Sequence, residues 1–465
     1  MMLADGDDMP RLPDVATTEE LKTLEGSAYE HNRRRLRPKV FRRQQKLYVK
    51  AKREPRFRFY SLFGQLQLDD LLNDAWDRVA ANNGAPGLDG VRVDDLKADP
   101  EAVSRLLEGL KDDLRTKSYK PSPVKRVMIP KPGGKERPLG IPTVRDRVLQ
   151  MAVLLVVEPI FEADFLPCSF GFRPGKSAHG AVDAVKEAVG KGQRPEVFDA
   201  DLASYFDTIP HDKLMACVQK RITDGSLLNL IRQWLKAPIV EDDGPPQGKK
   251  PSSGTPQGGV LSPLLANLYL HWLDKLFHAE GGPGHFANAR LIRYADDFVI
   301  VARYIGPQIL DWVQHWIGRM GLTLNRQKTR TVRLATPERA VDFLGFSFRL
   351  EASRFGGRFC TVTPSEASVL AGMEKVKGLT SSRWNCLPPR VVVRVLARSL
   401  RGWAAYYDYG YAARAMRDMD WFVLQRMRRH LGRRSQRGYQ RPTGRTWYQH
   451  LHEDLGLVRL AGGPR

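Results

Sequence analysis

In "LDDLLNDAWDRVAANNG" the apolar residues Leu68, Leu71, Leu72, Ala75, Trp76 and Val79 recur at helical spacing. The helical reading extends back over residues 31–80, after a polar and loose stretch at 1–30. "GAPGLDG" then breaks the chain. Residues 124–142, "VKRVMIPKPGGKERPLGIP", predict two strands joined by a basic Gly-Gly turn. A helix-rich stretch follows from Arg145 to about Gly190. In "EVFDADLASYFDTIP" the pattern switches to period two. Val197, Asp199 and Asp201 share one strand face, and Phe198, Ala200 and Leu202 share the other. A helix is expected from "HDKLMACVQKRI", completing a strand-to-helix unit over 196–222. Next come a Gly/Pro/Ser loop (242–259), a helix (261–278), a hairpin (291–304) and an amphipathic helix at about 307–320. The last 90 or so residues predict helices with Arg on their faces. Strands and helices mix without regular βαβ alternation, which makes the fold class α+β.

The hairpin "LIRYADDFVIVARY" places two adjacent acids, Asp296 and Asp297, at the bend between apolar strands. Asp suits turns, so an Asp-Asp turn is the plain explanation. Two like charges at close range repel, however, and burying an unpaired carboxylate costs several kcal/mol, on the order of the penalty for a lone buried ion. A divalent metal would cancel that repulsion if a third carboxylate joined the pair. Asp201, at the end of its strand, is the candidate. Asp199 is read as a face residue, and Asp207 as a turn or helix-start acid. Ser177, ahead of "AHGAVDAVKEAV", is read as a helix N-cap.

Charge narrows what such a site acts on. The 465-residue chain carries 74 Lys+Arg against 52 Asp+Glu, a net +22, with 42% hydrophobic residues. It is long enough for several cores, and too apolar for a disordered basic tail. Residues 31–58 hold thirteen Lys/Arg against one acid, and residues 390–465 hold sixteen Arg against five acids. Both blocks are interleaved with aromatics, which points to nucleic acid. The exclusive use of Arg in the second favours bidentate phosphate contacts and stacking on bases. The four cysteines, Cys168, Cys217, Cys360 and Cys386, form no CxxC pair, so neither a zinc knuckle nor a disulfide frame is indicated. The acidic start "MMLADGDDMP" is no signal peptide, and no run is long enough to span a bilayer. We expect a reducing cytoplasm and no membrane partner.

The ordered blocks "FDADLASYFDTI", "GTPQGGVLSPLLANLYL", "RYADDFVIVA", "GLTLNRQKTR" and "FLGF" resemble the palm motifs of a reverse transcriptase. "KLYVKAKREPRFRFYSLF", "IPKPGGKERPLGIPTVRDRVLQ" and "SFGFRPGKSAHGAV" resemble the start and fingers of bacterial group II intron-encoded proteins. "SLRGWAAYYDYGYAARAMRDMDWFVLQRMRRHL" resembles that family's thumb and maturase region, domain X. The resemblance runs in order from about residue 40 to 460. It implies a right-hand polymerase: a basic N-terminal extension (1–58), fingers (59–190), palm (191–364), helical thumb or domain X (365–440) and a short basic C-terminal tail (441–465).

By position in those motifs, Asp201, Asp296 and Asp297 are the expected catalytic and metal-binding acids, with Leu202 beside Asp201 at the metal site. The implied cofactor is a pair of Mg²⁺ ions, suited to oxygen ligands. Lys131, Arg137, Phe206, Gln257 and Lys328 fall at nucleotide-contacting positions. Phe206 would be the steric gate beneath the sugar and Lys328 a proton donor to pyrophosphate; a core aromatic and a surface lysine are the plain alternatives. Phe343, Leu344, Gly345 and Phe346 resemble the primer grip. Arg33, Arg34, Arg35, Lys52, Arg53, Arg401, Arg426, Arg428 and Arg429 are expected to contact RNA. The implied partners are a group II intron RNA, an RNA template with a DNA primer, and deoxynucleoside triphosphates. The implied function is reverse transcription of that intron together with maturase help in its splicing. Two alternatives stay open: a domesticated enzyme of defence or repair, and an RNA-binding splicing factor. No cysteine lies in the last 79 residues, so we expect the form lacking the HNH endonuclease domain.

Overall fold

The computed structural model describes residues 36–130, 136–241, 248, 250–336, 338–354, 356–434 and 439–462. Its centre is a helix that is apolar on nearly every side, α5 (Val144–Glu162). Such a helix must be covered all round. Two helices that precede it, α1 (Pro38–Arg53) and α2 (Asp69–Asn82), pack against it. Gln44 of α1 donates its amide N–H to the Leu155 carbonyl at 2.8 Å, a buried hydrogen bond that ties the two helices together. The expected helical run over 31–80 is therefore two helices. Pro55 follows the end of α1, and the aromatic segment behind it takes sheet-like pairing instead. Phe59 N–H donates to Arg221 O at 2.7 Å and Thr223 N–H to Phe59 O at 2.8 Å. The Asp224 carboxylate accepts from the Leu62 and Phe63 N–H groups at 2.8 and 2.7 Å. These distant partners satisfy the backbone groups that a continuous helix would have paired internally.

Helices α3 (Val93–Ala98) and α4 (Pro100–Thr116) lead to the finger hairpin, β1 (Val124–Pro130) and β2 (Glu136–Ile141). These strands pair antiparallel, as the sequence predicts. Beyond α5, α6 (Ala178–Val189) begins at Ser177, whose hydroxyl accepts from Gly180 N–H at 3.1 Å. Ser177 is the N-cap that its position suggested. The chain continues through β3 (Glu196–Ala200), α7 (Tyr205–Thr208), α8 (His211–Gln219), α9 (Gly225–Leu235) and β4 (Ile239–Val240). Then come α10 (Ser262–His278), α11 (Pro283–Phe286), β5 (Arg290–Tyr294), β6 (Asp297–Ala302), α12 (Pro307–Arg319) and β7 (Arg330–Arg333).

The palm sheet has the order β5-β6-β3-β7, all antiparallel. One face packs on the main core and the other on a second core beneath α6. A further sheet, β8 (Val341–Phe343), β9 (Phe346–Ala352) and β10 (Arg358–Pro364), leads into three thumb helices. These are α13 (Glu366–Leu379), α14 (Pro389–Tyr407) and α15 (Ala413–Gly432). Apolar stripes such as Val392, Leu396 and Leu400, with Met419, Val423 and Met427, close a third core. Leu451 and Leu457 are buried in it too, and Asp420 accepts from the Leu460 and Ala461 N–H groups. The segment 441–462 is thus part of the thumb rather than a separate tail. The fold is α+β, a right hand of fingers, palm and thumb. Among the described residues no helix is long and apolar enough to cross a membrane.

Candidate active site in the palm

Tyr294 pairs with Asp297 as the last rung between β5 and β6, so the bend of the hairpin is the two-residue turn Ala295–Asp296. Ala295 adopts a left-handed φ of +57°, as tight hairpin turns demand. A residue bearing a Cβ is strained there by about 1–2 kcal/mol. The sequence reading put both acids at the bend. Instead Asp296 sits at its tip, while Asp297 opens β6. On the neighbouring strand Ala200 pairs with Phe298. Continuing that register by one residue sets Asp201 opposite Asp297, and the three carboxylates gather at one end of the sheet.

A wholly buried polar frame supports the strained turn. Arg293 has no exposed surface, and neither does Asp274 of α10. They form a two-pronged ion pair, Nε–Oδ1 at 2.9 Å and Nη2–Oδ2 at 2.6 Å. Arg293 Nη1 also donates to the Ala295 carbonyl and to Asn267 Oδ1, each at 2.9 Å. Asn267 in turn donates to the Gly171 carbonyl at 2.7 Å. Gly171 lies so close behind the turn that a Cβ would collide with the Ala295 amide nitrogen. The "SFGFRP" segment, the hairpin and α10 thus form one unit under the acids.

The electrostatics match a cation site. Asp297 keeps an edge open to solvent, yet its carboxyl is pushed up to about 6, first by desolvation in the cleft and then by Asp296, Asp201 and Asp199. Asp199 is itself held by Arg330 at 3.3 Å, in keeping with a structural role. Asp201 Oδ2 receives Lys328 Nζ and Asn325 Nδ2, both at 3.0 Å, and Asn325 N–H binds the Asp201 carbonyl at 2.8 Å. Lys328 therefore stands at the acids, where it supplies positive charge. Leu202 is buried and bridges Leu324; the flanking hydrogen bonds run through Asp201 and Ala203, so its own carbonyl takes no part in that bridge. Among the described residues no three His, Cys, Asp or Glu groups are drawn to metal-ligand distance. The donor set, three carboxylates whose mutual repulsion raises a proton affinity, nonetheless fits a hard divalent cation.

On the finger side, Arg137 Nε donates to Gln257 Oε1 at 2.6 Å, and Gly140 N–H binds the Gln257 carbonyl at 2.5 Å. The structure thereby joins two predicted nucleotide contacts. Gln257 borders a cavity of about 240 Å³ whose wall includes Arg126, Asp207, Gly254 and Thr255. Phe206 is 7% exposed and meets Tyr205 edge-on at 5.5 Å. Its ring belongs to the core, while its carbonyl accepts from Thr255 N–H at 2.7 Å. Lys131 lies outside the described residues, as do Arg33, Arg34 and Arg35.

"FLGF" is a hairpin tip: Phe343 pairs with Phe346, and Leu344 (φ +52°) and Gly345 (φ +79°) form the turn. Phe343 and Phe346 are core residues, and the turn between them is half-buried. The Leu344 carbonyl accepts from Tyr406 Oη at 3.0 Å, and the Gly345 carbonyl accepts from Ser365 N–H at 2.9 Å and Ser368 Oγ at 3.0 Å. Of the basic residues expected on RNA, Lys52 binds the Ala163 carbonyl at 2.9 Å. Arg426 binds Thr380 Oγ1 at 3.0 Å, so it braces α13 against α15. Arg53 also engages within the chain. Arg401, Arg428 and Arg429 are exposed; Arg428 lies over the Trp447 ring at 5.8 Å. Sequence reasoning missed Arg293, Asp274, Asn267, Gly171 and Asn325. A signal existed for three of them: Arg293 interrupts a buried strand, and Asn267 and Asp274 lie seven apart on an otherwise apolar helix.

Residues 129–348 match the family described as reverse transcriptase (RNA-dependent DNA polymerase), and residues 371–448 match the group II intron maturase-specific domain. Protein YkfC of Escherichia coli K12 is 34% identical over 376 residues, covering 72% of this chain and 96% of that protein. The group II intron-encoded protein LtrA of Lactococcus lactis subsp. cremoris is 39% identical over 219 residues, 47% of this chain; the match spans only 35% of LtrA. A Candida albicans telomerase structure aligns with 68% of this chain and 62% of its own at 13% identity and a TM-score of 0.39, a likeness too distant to bear on the argument.

Proposed function

Because the chain belongs to the bacterial group II intron-encoded reverse transcriptases with a maturase domain, we propose that it copies its own intron RNA into DNA at Asp201, Asp296 and Asp297 and assists that RNA's splicing through the thumb. The observation that carries the reading is the register of the palm sheet, which brings Asp201 to the side of the hairpin acids. In this reading the three carboxylates, with the Leu202 carbonyl, would hold two Mg²⁺ ions. When bound, those ions would lower the cost of the charge that develops on the attacking and leaving oxygens. Arg137, Gln257 and Lys131 bind the triphosphate, orienting its α-phosphate towards the primer end. Lys328 gives its proton to the departing pyrophosphate; its amine already rests within the acidic cluster. The exposed Arg401, Arg428 and Arg429 meet RNA phosphates, a contribution that weakens as salt rises.

The test is primer extension by the purified full chain, with a DNA primer on an RNA template. No product in Mg²⁺ would overturn the reading. The same assay addresses Phe206. If its ring lies beneath the sugar, Phe206→Ala opens room for a 2′-hydroxyl. Ribonucleotide use should then rise relative to deoxynucleotide use by about 10-fold or more, the effect of relieving a 1.4 kcal/mol clash. Equal loss with both substrates would assign Phe206 to the core alone.

A further inference from the structure

Away from the acids, the chain encloses a second cavity, of about 430 Å³, between the segment after α1, the end of α8 and one stripe of α10. Its volume suits a single nucleotide. The α10 stripe is Leu268, His271, Trp272 and Lys275, spaced so that all four line one side. Trp272 leaves 43% of its surface exposed, unusual for the largest apolar side chain, and Lys220 sits 5.8 Å from its ring centre. Arg56, Lys220 and Lys275 are exposed on the cavity wall. The acid in that wall, Asp164, pairs with Arg221 at 2.9 Å and also feels Lys275, so against Arg56, Lys220, Arg221 and Lys275 it leaves the lining strongly positive. An independent observation points to a ligand. His271 is 5% exposed, and neither of its ring nitrogens has a hydrogen-bond partner. Burial pushes it down to about 4, so the imidazole is neutral, with one donor and one acceptor. Such a pair left unmade costs about 1–3 kcal/mol per group.

We propose that this cavity binds one unpaired ribonucleotide of an RNA strand, with its base stacked on Trp272, its polar edge paired to His271 and its phosphates held by Arg56, Lys220 and Lys275. An aromatic platform beside cations is the common means of holding single-stranded nucleic acid. The proposal rests on the reading that the chain binds RNA, and adds a contact remote from polymerisation. It would grip a protruding base of the bound RNA and fix that RNA against the palm.

The test uses the full chain and a single-stranded RNA carrying 5-iodouridine, which photocrosslinks to an aromatic ring stacked on it. The expected adduct falls on the peptide bearing Trp272. It should disappear in the K220Q/K275Q double variant, where the ring is intact. Trp272→Ala should weaken binding of the same RNA about 5- to 100-fold, the effect of losing one base–aromatic stack, and Trp272→Phe should restore most of it. DNA synthesis on a short, pre-primed template should be unchanged in these variants. Adducts confined to the palm cleft and thumb would overturn the site while RNA binding itself stands. Loss of every RNA interaction in the parent chain would instead overturn the RNA reading on which it depends. Displacement of the RNA by polyglutamate as readily as by RNA of equal charge would assign the cavity to an acidic protein segment, and the proposal would fall.

Discussion

Asp296→Asn stops DNA synthesis, slowing primer extension by ~10³-fold or more, while RNA binding stays largely intact. Asparagine matches aspartate in size and tolerates the tight turn in which residue 296 sits. What it lacks is the charge that holds a hard divalent cation. The substitution also removes one of the charges that raise the Asp297 carboxyl. In Mg²⁺-free buffer the variant should therefore melt no lower than the parent, as expected where an active site is built at a cost to stability. Primer extension beside filter binding and a thermal melt measures all three quantities. Undiminished synthesis by this variant, or by Asp201→Asn, would refute the assignment of the acids.

The second large effect lies beneath the acids. Arg293→Met leaves the Asp274 carboxylate buried with its two-pronged partner gone. Breaking such a pair from one side costs about 3–5 kcal/mol, so this variant should melt well below the parent or fail to accumulate. The double variant Arg293→Met with Asp274→Leu removes both charges and should recover much of that loss, since apolar replacement of a buried pair is often neutral or better. Synthesis should not recover with it. The Ala295 carbonyl and Asn267 still lack the Arg293 donor, so the strained turn under Asp296 loses its support. A double variant as active as the parent would reduce the frame to a packing device with no part in positioning the acids.

What the sequence displayed was local. The alternation around Asp199 and Asp201, the unbroken apolar run after Asp297 and the helical spacing in "LDDLLNDAWDRV" each mark an element packed against a core, and the structure buries all three, the two strands on both faces. The acids were legible because their setting contradicted that local logic: charges where burial was predicted. What escaped depends on partners distant in sequence. Phe59 leaves the helical pattern because its backbone pairs with Arg221 and Thr223, more than 160 residues away. The Lys328–Asp201 contact likewise joins residues far apart in the chain. No periodicity reports such pairs. The same holds for Gly171, whose missing side chain matters only because the Ala295 turn folds against it.

The turn at Leu344–Gly345 has a mechanical consequence. One end of each of the first two thumb helices converges on it, through Ser365 and Ser368 at the start of α13 and Tyr406 at the end of α14. His179 of α6 then clasps the Tyr406 carbonyl at 2.7 Å and stacks on Tyr409. The turn is one of several ties between palm and thumb: Tyr411 N–H binds the Val362 carbonyl at 2.8 Å, and Tyr409 Oη binds Asp183. A displacement of that corner would carry both helices with it. Helices lying along a nascent duplex would then change how long it stays clasped between successive additions. The quantity to watch would be processivity, the length of DNA made per encounter, rather than the speed of any one bond-forming step.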